Sequence, residues 1–258
     1  MPNDTWDPET YLRFADQRLR PALDLLARVS PQCTPETICD LGCGTGNVTR
    51  LLAGRWPDAA LTGIDASAQM LARAPEIARV HWQCADLAHW RAPAPVDLLF
   101  SNAALHWLDD HAALFPRLFG LVAPGGVLAV QMPRQHLNPT HRILFALVRD
   151  PAWSALQGAV RAAPVHAPAR YHDWLAPDSA WIDIWETEYQ HVLTGADPVL
   201  EWVSGSLLRP VLARLDGERR AAFLEAYRAR LAAAYPRRPD GTTLLAFRRI
   251  FIVAGRRD

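Results

Sequence analysis

Short apolar segments alternate with stretches of helical spacing through the first half of the chain. Thr37–Leu41, Ala60–Asp65, Val80–Cys84, Val96–Ser101 and Val127–Gln131 read as five buried strands. Helices are expected between them at Val48–Trp56, Ala68–Ala74 and Asp109–Leu121, the first two stopped by Pro57 and Pro75. Pro124-Gly125-Gly126 is expected to turn the chain into the fifth strand. Ahead of them, Leu12, Ala15, Leu19, Leu23 and Leu26 mark a helix over 6–29, which Pro21 is expected to kink or divide. Strands separated by helices imply right-handed βαβ units and a mostly parallel sheet.

The second half reads differently. Residues 134–176 are helical or irregular, with prolines at 139, 151, 164, 168 and 177. Trp181–Val192 and Leu244–Val253 pattern as strands, and residues 197–235 between them as helices. One of those helices carries an apolar stripe of Phe223, Tyr227, Leu231 and Ala234. The pattern predicts an α/β fold: a mostly parallel seven-stranded sheet with helices on both faces, the last two strands forming an antiparallel pair. Residues 1–133 supply the core with its N-terminal helices. Residues 134–258 supply helical lid insertions and the two strands that complete the same sheet, within one structural domain.

Composition narrows the function classes. At 258 residues, half of them hydrophobic, the chain is long enough to bury a large core. Its 27 basic and 27 acidic side chains cancel, which argues against a broad nucleic-acid footprint. No apolar run approaches the length of a membrane span, and no basic-then-apolar leader opens the sequence, so a cytoplasmic location is expected. Cys33, Cys39, Cys43 and Cys84 form neither a C-x-x-C pair nor a secreted disulfide framework. The histidine pairs 106/111, 136/141 and 166/172 match no metal-binding spacing, and no metal is expected.

The densest chemical signal is Asp40-Leu-Gly42-Cys-Gly44-Thr-Gly46 at the end of the first strand. Alternating glycines let backbone N–H groups approach a ligand that a side chain would exclude. The G-x-G-x-x-G spacing of dinucleotide sites fails, because its third glycine falls on Asn47. The P-loop pattern fails as well, since the chain contains no lysine. Asp65 ends the second strand, where a carboxylate can accept both hydroxyls of a ribose. Asp86 follows the third, where it can accept an adenine amino group while the Leu87 N–H faces the ring. Each aspartate alone reads equally well as a turn former or helix cap. Three in register with a glycine loop favour a nucleoside-bearing ligand.

Asp40–Gly46, Gly63-Ile64-Asp65, Cys84-Ala85-Asp86-Leu87 and the Pro-Gly-Gly before the fifth strand resemble, in order and spacing, the motifs of class I S-adenosylmethionine (SAM) methyltransferases. The resemblance implies a Rossmann-like SAM-binding core in which Gly42, Gly44 and Gly46 line the methionine part of SAM. Asp65 then holds the ribose, Asp86 the adenine, and Met70 packs against the base. Outside these motifs the chain resembles the trans-aconitate methyltransferase family. That similarity rests on Trp6–Phe14, Arg18–Ala22, Asn102–Leu108, Leu114–Pro116, Val130–Pro133, Asn138–His141, Asp183–Trp185, Leu208–Pro210, Leu244–Phe247 and Phe251–Ala254. It implies transfer of the SAM methyl group to a carboxylate of a small polycarboxylic acid, leaving a monomethyl ester and S-adenosylhomocysteine. His106, Asp109 and Arg248 depart from it, standing where glutamine, proline and proline are expected.

A carboxylate acceptor is ionised at neutral pH and needs no general base. Such a site needs cations to hold a polyanion, and arginine's planar fork suits carboxylates. Arg209 and Arg248, within family-like segments, are the candidates, and Arg18 can hold either the acceptor or the SAM carboxylate. Tyr11, Phe14, Trp107, Tyr171 and Trp202 are candidate aromatic walls, Tyr11 and Trp107 foremost because their motifs adjoin the cofactor cleft. Asp40 and Asn102 complete the expected cofactor contacts, and His106 is placed beside the acceptor. Two other readings stay open. One is O- or N-methylation of another small molecule with His106 as base. The other is a module that binds SAM without turnover.

Overall fold

The computed structural model describes residues 15–30, 33–160, 165–205 and 207–258, with backbone alone for 15–18. Helix α1 (Ala15–Arg28) leads into β1 (Thr37–Leu41), α2 (Asn47–Arg55), β2 (Ala60–Asp65), α3 (Ala68–Leu71), β3 (Val80–Cys84) and β4 (Val96–Asn102). A 3-10 turn (Leu105–Trp107), α4 (His111–Phe119) and β5 (Val122–Pro133) follow. The second half contributes α5 (Pro139–Arg149), α6 (Pro168–Leu175), β6 (Ser179–Leu193), α7 (Pro198–Ser204), α8 (Arg209–Leu212), α9 (Gly217–Ala234) and β7 (Thr243–Arg256). One sheet takes all seven strands in the order β3-β2-β1-β4-β5-β7-β6. The first five are mutually parallel; β7 runs antiparallel to β5 and β6.

Strand alternation loads both faces. Leu41, Leu99, Leu128, Val130, Ile250 and Ile252 pack beneath α4 and α6. Ile38, Leu98, Phe100, Ala129, Phe251 and Val253 face the other way, against Leu25 and Val29 of α1 and Leu52 of α2. Pro21 sits inside α1 without ending it, so the expected division does not occur in the described part of that helix. Pro124-Gly125-Gly126 also differs from its expected place: it lies within β5, as an irregularity between the pairs Val96–Val122 and Leu98–Val127. A turn and a bulge share the same sequence signature, and here the strand resumes in the same sheet. A β-carbon on Gly126 would sit 2.8 Å from the Asp97 carbonyl oxygen, which fixes glycine at the bulge.

The last two strands reach past the others. β5 ends where Pro133 pairs with Arg249, but β6 and β7 stay paired out to Leu193 and Thr243. Those further six residues of each strand extend the hairpin-like arm by roughly 20 Å beyond the carboxyl ends of the parallel strands. The helices α5, α7, α8 and α9 pack on that arm around Leu144, Trp202, Phe223, Tyr227 and Leu245. The chain from β5 is tied back to it: the Arg134 N–H and the Gln135 side-chain amide donate to the Arg248 carbonyl at 2.9 and 2.7 Å, and Asn138 Nδ2 to the Ala246 carbonyl at 2.7 Å. Tyr227 of α9 donates to the Thr140 carbonyl at the start of α5, 3.0 Å away. The helical cap is thereby fixed above one end of the sheet.

α1 crosses the other face of the arm. Tyr189 Oη donates to Asp24 at 2.5 Å, and Arg28 pairs with Asp183 at 2.5 Å. Asp24 is thus level with Tyr189 and Arg28 with Asp183, so the amino end of α1, with Arg18, comes to the carboxyl end of the sheet.

β1 carries a buried acid. Asp40 is 1% exposed and accepts a 2.6 Å hydrogen bond from Thr49 Oγ1, which locks α2 to the strand. Burial, and less so the Asp65 charge, raises its pKa to about 7 despite the Thr49 bond. Between about pH 4 and 7 the native state therefore holds a proton that the unfolded chain has released, so stability falls as pH rises through that window. Asp40→Asn removes this dependence: the melting temperature of the variant, relative to wild type, rises from pH 4.5 to 7.5, and a gap independent of pH contradicts it. Tyr227→Phe, which deletes one buried hydrogen bond worth about 1 kcal/mol, lowers Tm by about 2–4 °C. An unchanged Tm would mean the cap is not held at that bond.

Candidate functional site

Strand order reverses between β1 and β4, and two turns leave the sheet side by side there. After β1, Gly42 takes φ +73° and its N–H donates to the Ile64 carbonyl at 2.7 Å. After β4, Ala103 takes φ +55°, rare for a residue with a β-carbon, and swings the Leu105–Trp107 turn across the strand ends. The turns interlock: a β-carbon on Gly42 would lie 2.1 Å from Ala104 Cβ. Gly44 is roomier, with Met70 Cε at 3.3 Å from the corresponding position. Gly46 and Gly63 are instead roofed by the Trp82 ring, at 2.5 and 2.4 Å from their missing β-carbons. Gly46 therefore serves helix–strand packing and the left-handed entry to α2.

The acidic residues divide by role. Asp65 Oδ2 accepts the Gly44 N–H at 2.9 Å and Oδ1 the Ser67 N–H at 2.8 Å. A carboxylate offers about four acceptor positions, so two remain for a ribose diol. Asp86 is exposed; it accepts the Ala88 N–H at 2.9 Å and lies 3.1 Å from His89 Nδ1, contacts that hold its pKa below the usual carboxylate value. Leu87 next to it is buried, and its carbonyl accepts from Arg117 of α4 at 2.8 Å, which fixes that turn. Asp40 departs from its expected place among the cofactor contacts: its carboxylate is spent on Thr49 and shielded from the cleft. It supports the glycine loop from beneath. Gly44, Asp65, Met70, Asp86 and Leu87 stand at or just beyond the carboxyl ends of β1, β2 and β3.

A second polar group stands where β4 and β5 end beside β7. His106 is part-buried, its ring centroid 4.6 Å from that of Trp107, which is 58% exposed at the rim. Desolvation, then the charge of Arg249 and then His111, push the His106 pKa down to about 3, so the ring is neutral at pH 7. Arg249 is the residue that sequence reasoning missed. It is 5% exposed on β7, donates to Gln131 Oε1 at 3.2 Å, and holds its guanidinium 4.7 Å from the Phe247 ring centroid. Its signal was an arginine opening the apolar run Ile250–Ala254.

Other expected residues fall elsewhere. Arg248 points to the opposite face of β7 from Arg249, 3.3 Å from Glu188 on β6, away from the His106 side. Arg209 starts α8 and lines a cavity of about 620 Å³ within the helical cap, with Asp197, Glu201, Arg220 and Arg228. Tyr171 and Trp202 are core residues: Tyr171 Oη is 2.8 Å from His111 Nδ1, and Trp202 stacks on His191. Tyr11 and Phe14 lie outside the described residues, and Arg18 is placed by its backbone alone. Among the described residues no group of three metal-ligating side chains occurs, and no helix is long and apolar enough to cross a membrane.

Comparison with known proteins follows the same division. A family model described as a methyltransferase domain matches residues 38–126, from β1 to the β5 bulge. In fold, the chain superposes on the YcgJ protein of Bacillus subtilis with a TM-score of 0.61 at 13% identity, covering 93% of this chain and 99% of that one. It superposes on a Haemonchus contortus phosphoethanolamine N-methyltransferase 2, solved with S-adenosylhomocysteine, at 0.56 and 18%, covering 93% and 53%. Similarity in sequence extends through the cap. The trans-aconitate 2-methyltransferase of Methylobacterium radiotolerans is 48% identical over 254 residues, covering 96% of this chain and 97% of that protein. That of Pseudomonas aeruginosa is 44% identical over 257 residues, covering 96% and 93%. Similarity to these relatives along almost the whole chain makes it a SAM-dependent class I methyltransferase of the trans-aconitate 2-methyltransferase family.

Proposed function

We propose that the chain methylates a carboxylate of trans-aconitate, with SAM as donor, giving a monomethyl ester and S-adenosylhomocysteine. The observation that carries this reading is the pairing of a buried cation with a neutral histidine at the acceptor end, in a chain similar to trans-aconitate 2-methyltransferases along almost its whole length. When bound, SAM supplies a methyl group on a sulfonium, an electrophile with a good leaving group. Asp65 would hold the ribose, Asp86 and Leu87 the adenine edge, and Gly44 would leave space for the methionine part. The cap and the β6–β7 arm would close over the acceptor and exclude water. An ionised acceptor needs no proton removed, so these residues contribute position and alignment.

His106 fits the role of a neutral hydrogen-bonding group better than that of a base. A ring with a pKa near 3 has little drive to accept a proton at pH 7. This weighs against methylation of a hydroxyl or amine through His106. A cytoplasmic location and a free small-molecule acid as partner belong to the same reading.

Incubation with labelled SAM and a panel of trans-aconitate, cis-aconitate, citrate and hydroxylated aromatics tests the proposal. A trans-aconitate monomethyl ester is expected; label in the aromatics and none in any acid would overturn it. His106→Gln keeps kcat within about threefold, because glutamine preserves the N–H donor, whereas a general base would cost roughly 10²–10⁴-fold. Asp65→Ala weakens SAM binding, measured by calorimetry, about 10–100-fold, the scale of lost hydrogen bonds to a charged group. An unchanged affinity would displace the ribose from β2.

A further inference from the structure

Arg249 stands in a group of polar side chains where β4 and β5 end beside β7. Asn102 at the end of β4 and Gln131 on β5 are register partners, and Phe100 and Ala129, two residues earlier, place both on the α1 face of the sheet. Gln131 Oε1 accepts from Arg249, which β7 presents to the same face between Phe247 and Phe251. His106 follows from the turn that Ala103 begins, a turn whose N–H donates to the Gln131 carbonyl at 2.9 Å. Among the described residues, Asn102 Oδ1, Gln131 Nε2 and His106 Nδ1 are each buried with no hydrogen-bond partner. A lone buried polar atom without a partner costs on the order of 1–3 kcal/mol. Two of the three, Gln131 Nε2 and His106 Nδ1, can donate, and beside one guanidinium they point to a ligand that accepts.

The chemistry of the group selects the ligand. A guanidinium fork, two primary amides and a neutral imidazole present mostly N–H donors and one formal positive charge. Phe247 covers the guanidinium, and low exposure strengthens its attraction for an anion. A planar anion with two oxygens matches that fork bidentately. The same pairing draws electron density from both oxygens, so the carboxylate held here is a poor nucleophile.

Resting on the function proposed above, we infer that Arg249 clamps a carboxylate of the acceptor other than the one that is methylated. Gln131 positions the guanidinium through its Oε1 and offers its Nε2 N–H to the anion, and His106 Nδ1 donates the other hydrogen bond. Selection of a polycarboxylate over a monocarboxylate then resides in this clamp.

The test compares wild type with Arg249→Gln and Gln131→Glu, on trans-aconitate and on dicarboxylic analogues each lacking one carboxylate. S-adenosylhomocysteine affinity is measured in parallel by calorimetry. Wild type turning over no polycarboxylate rejects the proposed function, and the clamp with it. Given turnover, Arg249→Gln is expected to raise KM for trans-aconitate about 100-fold with S-adenosylhomocysteine affinity unchanged. For one analogue the wild-type penalty should vanish in the variant, because the clamp has nothing left to hold. Gln131→Glu keeps the shape but neutralises the fork, and should raise KM in the same direction with a smaller change in kcat. An unchanged KM, equal penalties for every analogue in both proteins, or a parallel loss of S-adenosylhomocysteine affinity would overturn the assignment while leaving the methyl-transfer reading intact.

Discussion

The site depends on one close approach: Gly42 and Ala104 occupy space that admits only one β-carbon. β1 and β4 are neighbours, and the chain leaves them on opposite courses, so their turns must pass each other at the strand reversal. Gly42 accommodates this at positive φ and without a side chain. Ala103 accommodates it at a left-handed conformation that costs an alanine on the order of 1 kcal/mol. That strain is offset by the position of the turn, which carries His106 and Trp107 just beyond the end of β4.

On the proposed reading, charge is arranged to suit a polyanion rather than to move a proton. Where β4 and β5 end beside β7 stand a buried arginine, a histidine kept neutral by burial and by that arginine, and two amides. An ionised histidine there would meet the arginine's repulsion, and a carboxylate would compete with a bound anion. The antiparallel arm matters for the same reason. β7 brings Arg249 to the level of Pro133, where β5 ends, and the cap anchored at Thr140 and Ala246 shelters that level from solvent. Low local dielectric then makes each fixed dipole and charge count for more than it would in water.

The strand ends that carry the candidate cofactor residues are legible in the sequence because their determinants are local. Gly42, Gly44, Asp65 and Asp86 stand at strand ends, and strand ends follow from periodicity and breakers. The surroundings of the arginines are not, because they depend on which face a residue takes in a strand paired far along the chain. Arg248 and Arg249 are adjacent in sequence, yet alternation sends one to Glu188 and the other to Gln131. A shift of one residue in register would exchange them. Likewise an aromatic residue in a family-like segment reads the same whether it walls a pocket or fills a core, and Tyr171 and Trp202 fill cores. Pro124–Gly126 was read as a turn because the residues that make a bulge are those that make a turn.

The interlock of the two turns is open to a double-mutant cycle of Gly42→Ala and Ala104→Gly, read by SAM affinity in calorimetry. Gly42→Ala alone should weaken SAM binding by at least tenfold through the clash and the positive φ. Adding Ala104→Gly should recover a large part of that loss, leaving only the backbone strain. Additive effects, with no recovery in the double variant, would contradict the account that the two turns compete for one β-carbon's space.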